Sequence, residues 1–322
     1  MRFHLRYGVH AVLGVASATF VACNADGSLA AARRATATIE ATGANTIDTL
    51  ALGIPYVPGV AHPRQVMDVF RTSGLKRRLP LVLCVHGGSW VSGSRSFGPN
   101  SVCAEILRRG AVLASVDYRL STDSVWPAQM HDLFTAVRCL RKEAQRIRAD
   151  TSRVAIVGVS AGAQMTLMAG VASPDSALLG LGLGCSREGS DATVVASLSG
   201  PTDFLAIPQD NAANGCALDP ANVANLFRLL GIASVASPAD TARLPSASPA
   251  ASVRRTPPIQ LWNGDRDCTV AWQQMQRMEQ AIRASNPSAI VERHVVVGAA
   301  HDIFADTSIN RRVANFLVQH LR

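Results

Sequence analysis

Residues 153–163 constrain the fold of this chain more than any other segment. A short apolar run, 154–157, leads into Gly158-Val-Ser-Ala-Gly162 and then into a helix-prone segment. A strand, a sharp turn and a helix in this order lift a serine hydroxyl above the edge of a sheet, and the glycines avoid collisions with neighbouring backbone. The pattern predicts that Ser160 is a nucleophile at the carboxyl end of a buried strand.

Apolar strands alternate with amphipathic helices along the chain. Residues 79–85 are continuously apolar, as is typical of a strand buried on both faces, and residues 127–148 have the pattern of one long helix. The alternation predicts an α/β fold with a mostly parallel central sheet and helices on both faces. Further strands are predicted at 65–70, 111–116, 154–157, 193–197, 259–262 and 290–297, and further helices at 101–109, 164–170, 272–284 and 310–321.

One long segment, residues 203–255, interrupts this alternation. It is rich in Ala, Pro, Asn, Asp and Ser and contains one clear helix, 221–230. Connections of this length are uncommon in compact domains, and an insertion past the carboxyl end of a strand overhangs the crevice where ligands bind. We expect the insertion to lie over the active site; the alternative is an ordinary surface loop.

Residues 1–22 have the pattern of an export signal, because Arg2 and Arg6 precede an apolar stretch that ends in small residues. The apolar stretch is too short for a convincing membrane span. We therefore predict that the chain is exported, as a periplasmic protein, an outer-membrane lipoprotein or a secreted protein.

Two processing sites compete at the end of this signal. The residues Phe-Val-Ala before Cys23 resemble a bacterial lipobox, which predicts lipidation of Cys23 and membrane attachment through it. Cleavage by a plain signal peptidase after Ala18 or Ala22 is the alternative. Residues 23–52 are predicted to form a tether or arm, and residues 53–322 the α/β domain.

The distribution of charge argues against a nucleic-acid partner, and the spacing of cysteine and histidine argues against a metal site. The net charge is +8 at pH 7, but the arginine pairs are scattered and no aromatic residues interleave with them, whereas a nucleic-acid site would concentrate charge on one element. The seven cysteines and the histidines lack the spacing of a zinc site. We expect a solvated basic surface, no metal, no cofactor and no nucleic-acid partner, with a small-molecule ester as substrate.

The cysteines of an exported protein can pair as disulfides. Cys185 and Cys216 lie in irregular sequence on either side of the strand predicted at 193–197, and we predict a disulfide between them. Cys84 lies inside an apolar strand, which predicts a buried free thiol.

A serine hydroxyl needs a base to remove its proton and a third group to hold that base. Two polar segments that directly follow predicted strands supply these groups downstream of Ser160, one ending in His301 and one containing Asp267. The chain order Ser, Asp, His is the one that such strand-turn-helix sites use. We predict Asp267 as the acid, with Asp265 as the main alternative and Asp203 as a third.

Residues 86–90, His-Gly-Gly-Ser-Trp, follow a buried strand ahead of the serine turn. The tandem glycines Gly87 and Gly88 let backbone N–H groups turn toward the crevice, and an acyl-transfer site needs such donors for its oxyanion. We predict an oxyanion hole formed by the N–H groups of Gly88, Ser89 and Ala161.

Several motifs occur in a fixed order around the serine turn. They are His86-Gly-Gly-Ser-Trp90, Val-Asp-Tyr-Arg-Leu at 116–120, Pro-Ala-Gln-Met-His-Asp at 127–132, Gly-Pro-Thr-Asp-Phe at 200–204 and Gly-Ala-Ala-His at 298–301. The ordered set resembles the α/β-hydrolases of the hormone-sensitive-lipase-like group, and most closely the BD-FAE-type esterases. The resemblance covers about residues 53–322 and implies hydrolysis of short acyl, acetyl or feruloyl esters by Ser, Asp and His; some relatives hydrolyse arylformamides or peptides.

Two residues depart from the pattern of that group. Position 163 is Ala where Gly is usual, and position 159 is Val where an acidic residue is common. Both changes could reshape the pocket without touching the chemistry. His86, by contrast, is expected to fix its loop rather than to react.

We therefore expect a serine esterase that forms an acyl-enzyme. The alternatives are arylformamidase or peptidase activity on the same triad, or a catalytically silent binding protein of the same fold. The insertion at 203–255 carries few large apolar residues. Each added CH₂ of an acyl chain contributes about 0.8 kcal/mol only where apolar surface lines it, so we expect short acyl groups of about C2 to C6 or compact aromatic acyls.

Overall fold

The computed structural model describes residues 46–59, 62–172 and 177–321. The export signal predicted at 1–22 and the lipidation site predicted at Cys23 lie outside these residues. No helix within the described ranges combines the length and the hydropathy needed to cross a bilayer.

A mixed sheet of eight strands forms the centre of the described part of the chain. Across the sheet the strand order is β1-β2-β4-β3-β5-β6-β7-β8; β1, β2 and β4 pair antiparallel, and all the other pairs are parallel. The predicted α/β fold with a mostly parallel sheet is confirmed. The strands are β1 (Ile47–Pro55), β2 (Val66–Thr72), β3 (Leu79–Val85), β4 (Val112–Val116), β5 (Ala149–Val159), β6 (Val194–Leu198), β7 (Ile259–Gly264) and β8 (Val291–Val296).

Helices cover both faces of this sheet. Leu81 and Leu83 of β3 belong to a core cluster shared with α2, α4 and α8, whereas Val82 and Cys84 belong to a cluster shared with α1 and α9. The predicted burial of β3 on both faces is confirmed. The helices are α1 (Val102–Arg108), α2 (Ala128–Lys142), α3 (Ala144–Ile147), α4 (Ala161–Val171), α5 (Ile207–Ala213), α6 (Pro220–Leu230), α7 (Pro238–Thr241), α8 (Gln273–Ser285) and α9 (Thr307–His320).

Residues 47–52, which the sequence analysis assigned to a tether or arm, belong to the edge strand β1. Two register shifts against β2 lie between Thr49 and Ala51 and between Ala51 and Ile54. The burial of the side chains still alternates from Ile47 to Leu52. Apolar residues occupy the buried position 51 and also the exposed position 52, so the sequence lacks the alternation of apolar and polar residues by which a strand would be recognised.

Two further segments differ from the sequence predictions. The helix predicted at 127–148 is divided into α2 and α3, and Glu143 between them serves as the cap of both. The insertion at 203–255 contains α5 and α7 in addition to the helix predicted at 221–230, which is α6.

The predicted disulfide between Cys185 and Cys216 is wrong. Cys185 pairs with Cys139 of α2, and Cys216 pairs with Cys268 beyond β7, at Cα separations of 5.3 and 5.4 Å. The short 3₁₀ turn ahead of Cys185 packs on α2, which brings that cysteine to Cys139. The insertion instead carries Cys216 toward the carboxyl end of β7.

The predicted free thiol at Cys84 is also wrong. Cys84 forms a disulfide with Cys103, at a Cα separation of 6.2 Å. The side chain of Cys84 points to the face of β3 that α1 covers, and Cys103 lies in the first turn of α1. Burial in a strand was correctly predicted, but the facing cysteine on the helix was not.

Candidate active site

Ser160 forms the sharp turn between β5 and α4. Its backbone lies at φ 52° and ψ −121°, a conformation that is costly for a residue with a Cβ atom. The N–H of Ser160 donates to the carbonyl oxygen of Leu198 on β6 at 2.8 Å, and the carbonyl oxygen of Ser160 accepts from Ala163 at 2.9 Å. Contacts on both sides of the turn therefore hold the strained residue in place.

The glycines on either side of Ser160 permit close packing, as predicted. A Cβ atom at Gly158 would collide with the backbone of Gly162, and one at Gly162 would collide with the carbonyl groups of Val85 and His86 at the end of β3. The first turn of α4 therefore lies directly against β3.

Ser160, His301 and Asp267 form one chain of hydrogen bonds. His301 Nε2 lies 2.9 Å from Ser160 Oγ, and His301 Nδ1 lies 2.7 Å from Asp267 Oδ2. Asp267 follows β7 and His301 follows β8, so the ends of neighbouring parallel strands bring the two residues together. The carboxylate of Asp267 is fully buried, whereas a quarter of the His301 side chain is exposed.

Donors from its own loop and from the end of β7 fix the carboxylate of Asp267. Its Oδ1 atom accepts from the backbone N–H groups of Thr269 and Val270, both at 2.8 Å, and its Oδ2 atom accepts from Asn263 Nδ2 at 3.1 Å. With His301 as the fourth partner, both oxygens of the carboxylate are engaged, so its orientation is determined.

The alternative acids that the sequence offered have other roles. Asp265 Oδ1 accepts from the N–H of Gly298 at 2.7 Å, which ties the loop after β7 to the loop after β8. Asp203 Oδ1 accepts from Leu205 N–H at 3.2 Å within its own turn. Within the described residues, His301 forms its carboxylate contact with Asp267 alone.

The loop at 86–90 turns sharply beside Ser160. Gly88, Ser89 and Trp90 all have positive φ angles, of 111°, 49° and 61°, and a Cβ atom at Gly88 would collide with Ser92. Ser89 lines the cavity at Ser160, as does Ala161, while Gly88 is not part of that lining. No acceptor in the described ranges takes the N–H of Ser89 or Ala161, so both remain available to an oxyanion.

His86 fixes this loop from behind, in keeping with its predicted role. Its Nδ1 atom lies 2.7 Å from the carbonyl oxygen of Gly87, and its ring stacks on that of Tyr118 at a centroid distance of 4.3 Å. The hydroxyl of Tyr118 donates to the carbonyl oxygen of His86 at 3.0 Å. Burial lowers the pKa of His86, which favours the neutral imidazole.

Charged residues that the sequence analysis did not identify support the same loop. Arg95 donates to both Asp117 and Asp68, at 2.6 and 2.8 Å, and Arg64 donates to the carbonyl oxygen of Gly93 at 2.7 Å. Asp117 belongs to the motif at 116–120, and this motif was the one sequence signal for its role.

A cavity of about 590 Å³, part of it open to solvent, lies in front of Ser160. Trp90 forms one wall: its indole N–H donates to Gln164 Oε1 at 3.1 Å and its ring packs edge-on against Phe204. The insertion supplies half of the lining, which confirms that it lies over this site. The lining residues from the insertion are Phe204, Ile207, Asn211, Leu218, Asp219, Asn222, Val223 and Leu226.

Within residues 46–59, 62–172 and 177–321, no three His, Cys, Asp or Glu side chains group closely enough to hold a metal ion.

Comparisons with known proteins identify a family and a fold. Residues 67–282 match the family described as BD-FAE. Esterase LipC of Mycobacterium tuberculosis is 28% identical over 232 residues, which are 71% of this chain and 54% of that protein; carboxylesterase NlhH of the same species is 33% identical over 92 residues, 29% of each chain. The chain thus spans at most about half the length of these curated relatives.

Solved esterases share the fold. A truncated carbohydrate esterase from gut microbiota superposes with a TM-score of 0.72 at 22% identity, covering 85% of this chain and 96% of that one. Esterase B from Lactobacillus Rhamnosis superposes with a TM-score of 0.66 at 20% identity, covering 85% of both chains. The strand order and helices described above are therefore those of an α/β-hydrolase.

The geometry predicts that Asp267, and not Asp265, orients His301 so that it can remove the proton of Ser160. Loss of the buried acid lowers kcat by about 10⁴ in serine proteases, and we expect Asp267→Asn to slow fluorophosphonate labelling of Ser160 by at least about 10². Asp265→Asn is the matched control, because an amide oxygen can still accept from Gly298, and its labelling rate should stay near that of the parent. Equal labelling rates for the two variants would exclude Asp267 as the acid.

Proposed function

The chain belongs to the BD-FAE family, and on that premise we propose that it is a carboxylic ester hydrolase that forms an acyl-enzyme on Ser160. The observation that carries the proposal is the unbroken chain of hydrogen bonds from Ser160 through His301 to Asp267 beside an apolar cavity. The relatives' names, esterase and carboxylesterase, support the same class of reaction.

Acylation begins when His301 Nε2 takes the proton of Ser160 and the serine oxygen attacks the ester carbonyl carbon. The N–H groups of Ser89 and Ala161 donate to the oxygen that becomes negative, and Gly88 is the third donor that the sequence suggests. Such preorganised donors are commonly the largest single contribution to catalysis. His301 then returns the proton to the departing alcohol, which leaves the acyl group on the serine.

Deacylation repeats these steps with water in place of the serine. His301 removes a proton from the water, the resulting hydroxide attacks the acyl carbon, and the carboxylic acid leaves as Ser160 regains its proton. Asp267 accepts the Nδ1–H of His301 throughout, so Nε2 always faces the reacting oxygen. A carboxylate in this position also stabilises the imidazolium that forms in each step.

The cavity supports esters with small acyl groups. The insertion lines the cavity with apolar side chains, such as Val223 and Leu218, but the polar groups of Asn222 and Asp219 interrupt this apolar surface. An apolar pocket holds each CH₂ of a chain by about 0.8 kcal/mol only where the wall is continuous. We propose substrates with acyl groups of about C2 to C6, or compact aromatic acyls, rather than long-chain lipids.

The proposed reaction depends on the Ser160 hydroxyl. We expect Ser160→Ala to lower ester hydrolysis by about 10⁶, with little change in thermal unfolding, because the hydroxyl serves the reaction and not the packing. Ser186→Ala, at an exposed serine outside the cavity, is the control and should retain the parent rate. A Ser160→Ala variant that keeps roughly a tenth of the parent rate would refute the acyl-enzyme.

Rates on p-nitrophenyl esters of increasing acyl length test the substrate proposal. We expect a maximum between about C2 and C6, and Val223→Trp should lower kcat/KM for hexanoate far more than for acetate by filling the cavity. Ala224→Trp is the matched control, since Ala224 is exposed on the same helix and does not line the cavity. A maximum at C10 or beyond would contradict the proposal, whereas preferential hydrolysis of arylformamides or peptides would favour those alternatives.

We also propose that the protein is exported and lipidated at Cys23. The motif before Cys23 and the basic and apolar residues at 1–22 support this. Cells fed a labelled fatty acid should yield labelled parent protein and unlabelled Cys23→Ala protein. A Cys23→Ala protein that still carries the label would defeat the assignment of that cysteine.

A further inference from the structure

The insertion is tied to the loop that carries the triad acid at three points. A disulfide joins Cys216 of the insertion to Cys268, the residue that follows Asp267. Asn214 Nδ2 donates to the carbonyl oxygen of Asp267 at 3.0 Å, and Asn211 Nδ2 donates to the carbonyl oxygen of Cys268 at 3.1 Å. A covalent bond and two hydrogen bonds thus fix the main chain at and beside Asp267.

The insertion side of this link is itself firmly anchored. Asp210, which is 3% exposed, accepts from Arg277 and from Gln274 of α8, each at 2.7 Å. Helix α5, which contains Asp210 and the buried Asn211, is therefore held against α8. Asn211 and Cys268 also line the cavity, so the link runs along the wall of the substrate site.

We propose that the Cys216–Cys268 disulfide, with Asn211 and Asn214, positions Asp267 for catalysis, and that reduction of this disulfide lowers kcat. The proposal rests on the serine-esterase function proposed above. The carboxylate of Asp267 is bound by its own loop, so any displacement of that loop moves the carboxylate away from His301. A displacement of about 1 Å in such a group can cost about 10² in rate.

This disulfide is also the most accessible of the three in the described residues. Cys268 is exposed and Cys216 is half-buried, whereas Cys185 is half-buried but its partner Cys139 is buried, and Cys84 and Cys103 are both buried. Thiol exchange depends on access to the sulfur. A dithiol such as dithiothreitol would break the S–S bond and leave two cysteine thiols, while the two thiols of the reductant would be oxidised to a cyclic disulfide.

The first test compares two double variants of the full chain. Cys216→Ser/Cys268→Ser should lower kcat for an acetate ester by about tenfold or more, with a smaller change in KM, and should slow fluorophosphonate labelling of Ser160 equally. Cys139→Ser/Cys185→Ser is the matched control: it removes a disulfide remote from Asp267 and should lower the melting temperature while keeping kcat. The acetate ester is chosen because it needs little of the cavity, so loss of cavity shape alone would raise KM instead.

The second test keeps the disulfide and removes the side chain of Asn214, which donates to the carbonyl oxygen of Asp267. Asn214→Ala should also lower kcat and the labelling rate, whereas Asn225→Ala, on α6 and outside the cavity lining, should leave both unchanged. If the Cys216→Ser/Cys268→Ser variant does not fold, the comparison of Asn214→Ala with Asn225→Ala tests the proposal by itself. Brief treatment with dithiothreitol should inactivate the parent, reversibly on reoxidation, and should not inactivate the Cys216→Ser/Cys268→Ser variant further.

Three results would overturn the proposal: an unchanged kcat in both Cys216→Ser/Cys268→Ser and Asn214→Ala, a change confined to KM, or an equal loss of kcat in the Cys139→Ser/Cys185→Ser control. Failure of the proposed function itself is distinguishable, because a parent protein that neither hydrolyses esters nor takes the fluorophosphonate label would reveal it before any variant is compared.

Discussion

The strained backbone of Ser160 is the constraint on which the rest of the site depends. A positive φ at a residue with a side chain costs of order 1–3 kcal/mol and persists only where the surroundings determine it. Here Leu198 of β6 holds the serine N–H, and the close packing of Gly162 against the end of β3 fixes the start of α4. The sheet and not a loop therefore sets the position of the Ser160 hydroxyl oxygen.

The order of the strands brings the other groups to that oxygen. β5 carries Ser160 at its end, and the parallel strands β6, β7 and β8 follow it in sequence across the sheet. The hydroxyl of Ser199, just after β6, donates to the carbonyl oxygen of His301 at 2.9 Å, so the loop after β8 is tied to the strand beside the nucleophile. Four neighbouring strand ends thus determine the distances from Ser160 to His301 and Asp267.

The local pattern of apolar and polar residues was sufficient to predict the helices and strands in which that pattern is regular. The strand at 79–85, the helix at 221–230 and the turn at Ser160 all have clear signals, and the fold follows from their alternation. The strand Ile47–Pro55 was missed because exposed positions such as Leu52 are apolar like the buried ones, so its sequence does not alternate between apolar and polar residues. β1 lies at the edge of the sheet and pairs with β2 alone, so only one neighbouring strand constrains which residues it carries.

Features that join distant segments could not be predicted in the same way. Each of the three disulfides pairs cysteines on elements that are 19 to 52 residues apart, and the partner of each cysteine depends on how those elements pack. The choice between Asp265 and Asp267 likewise depends on the turn of one loop, which places Asp267 toward His301 and Asp265 toward Gly298. Residue type and spacing narrowed the acid to this loop and favoured Asp267, but they left Asp265 open as the alternative.

The contacts behind the loop at 86–90 explain why a histidine follows β3. Burial lowers the pKa of His86, so its imidazole is neutral and carries one proton. With that proton on Nδ1, the ring donates to the carbonyl oxygen of Gly87 at 2.7 Å, and Nε2 is left to accept from Arg64 Nη2 at 3.4 Å. Protonation of Nε2 would remove that acceptor and place a second cation beside Arg64, although Asp117 at 3.7 Å would partly offset it. The neutral ring satisfies both neighbours at once, and its stacking on Tyr118 holds it in contact with the carbonyl oxygen of Gly87.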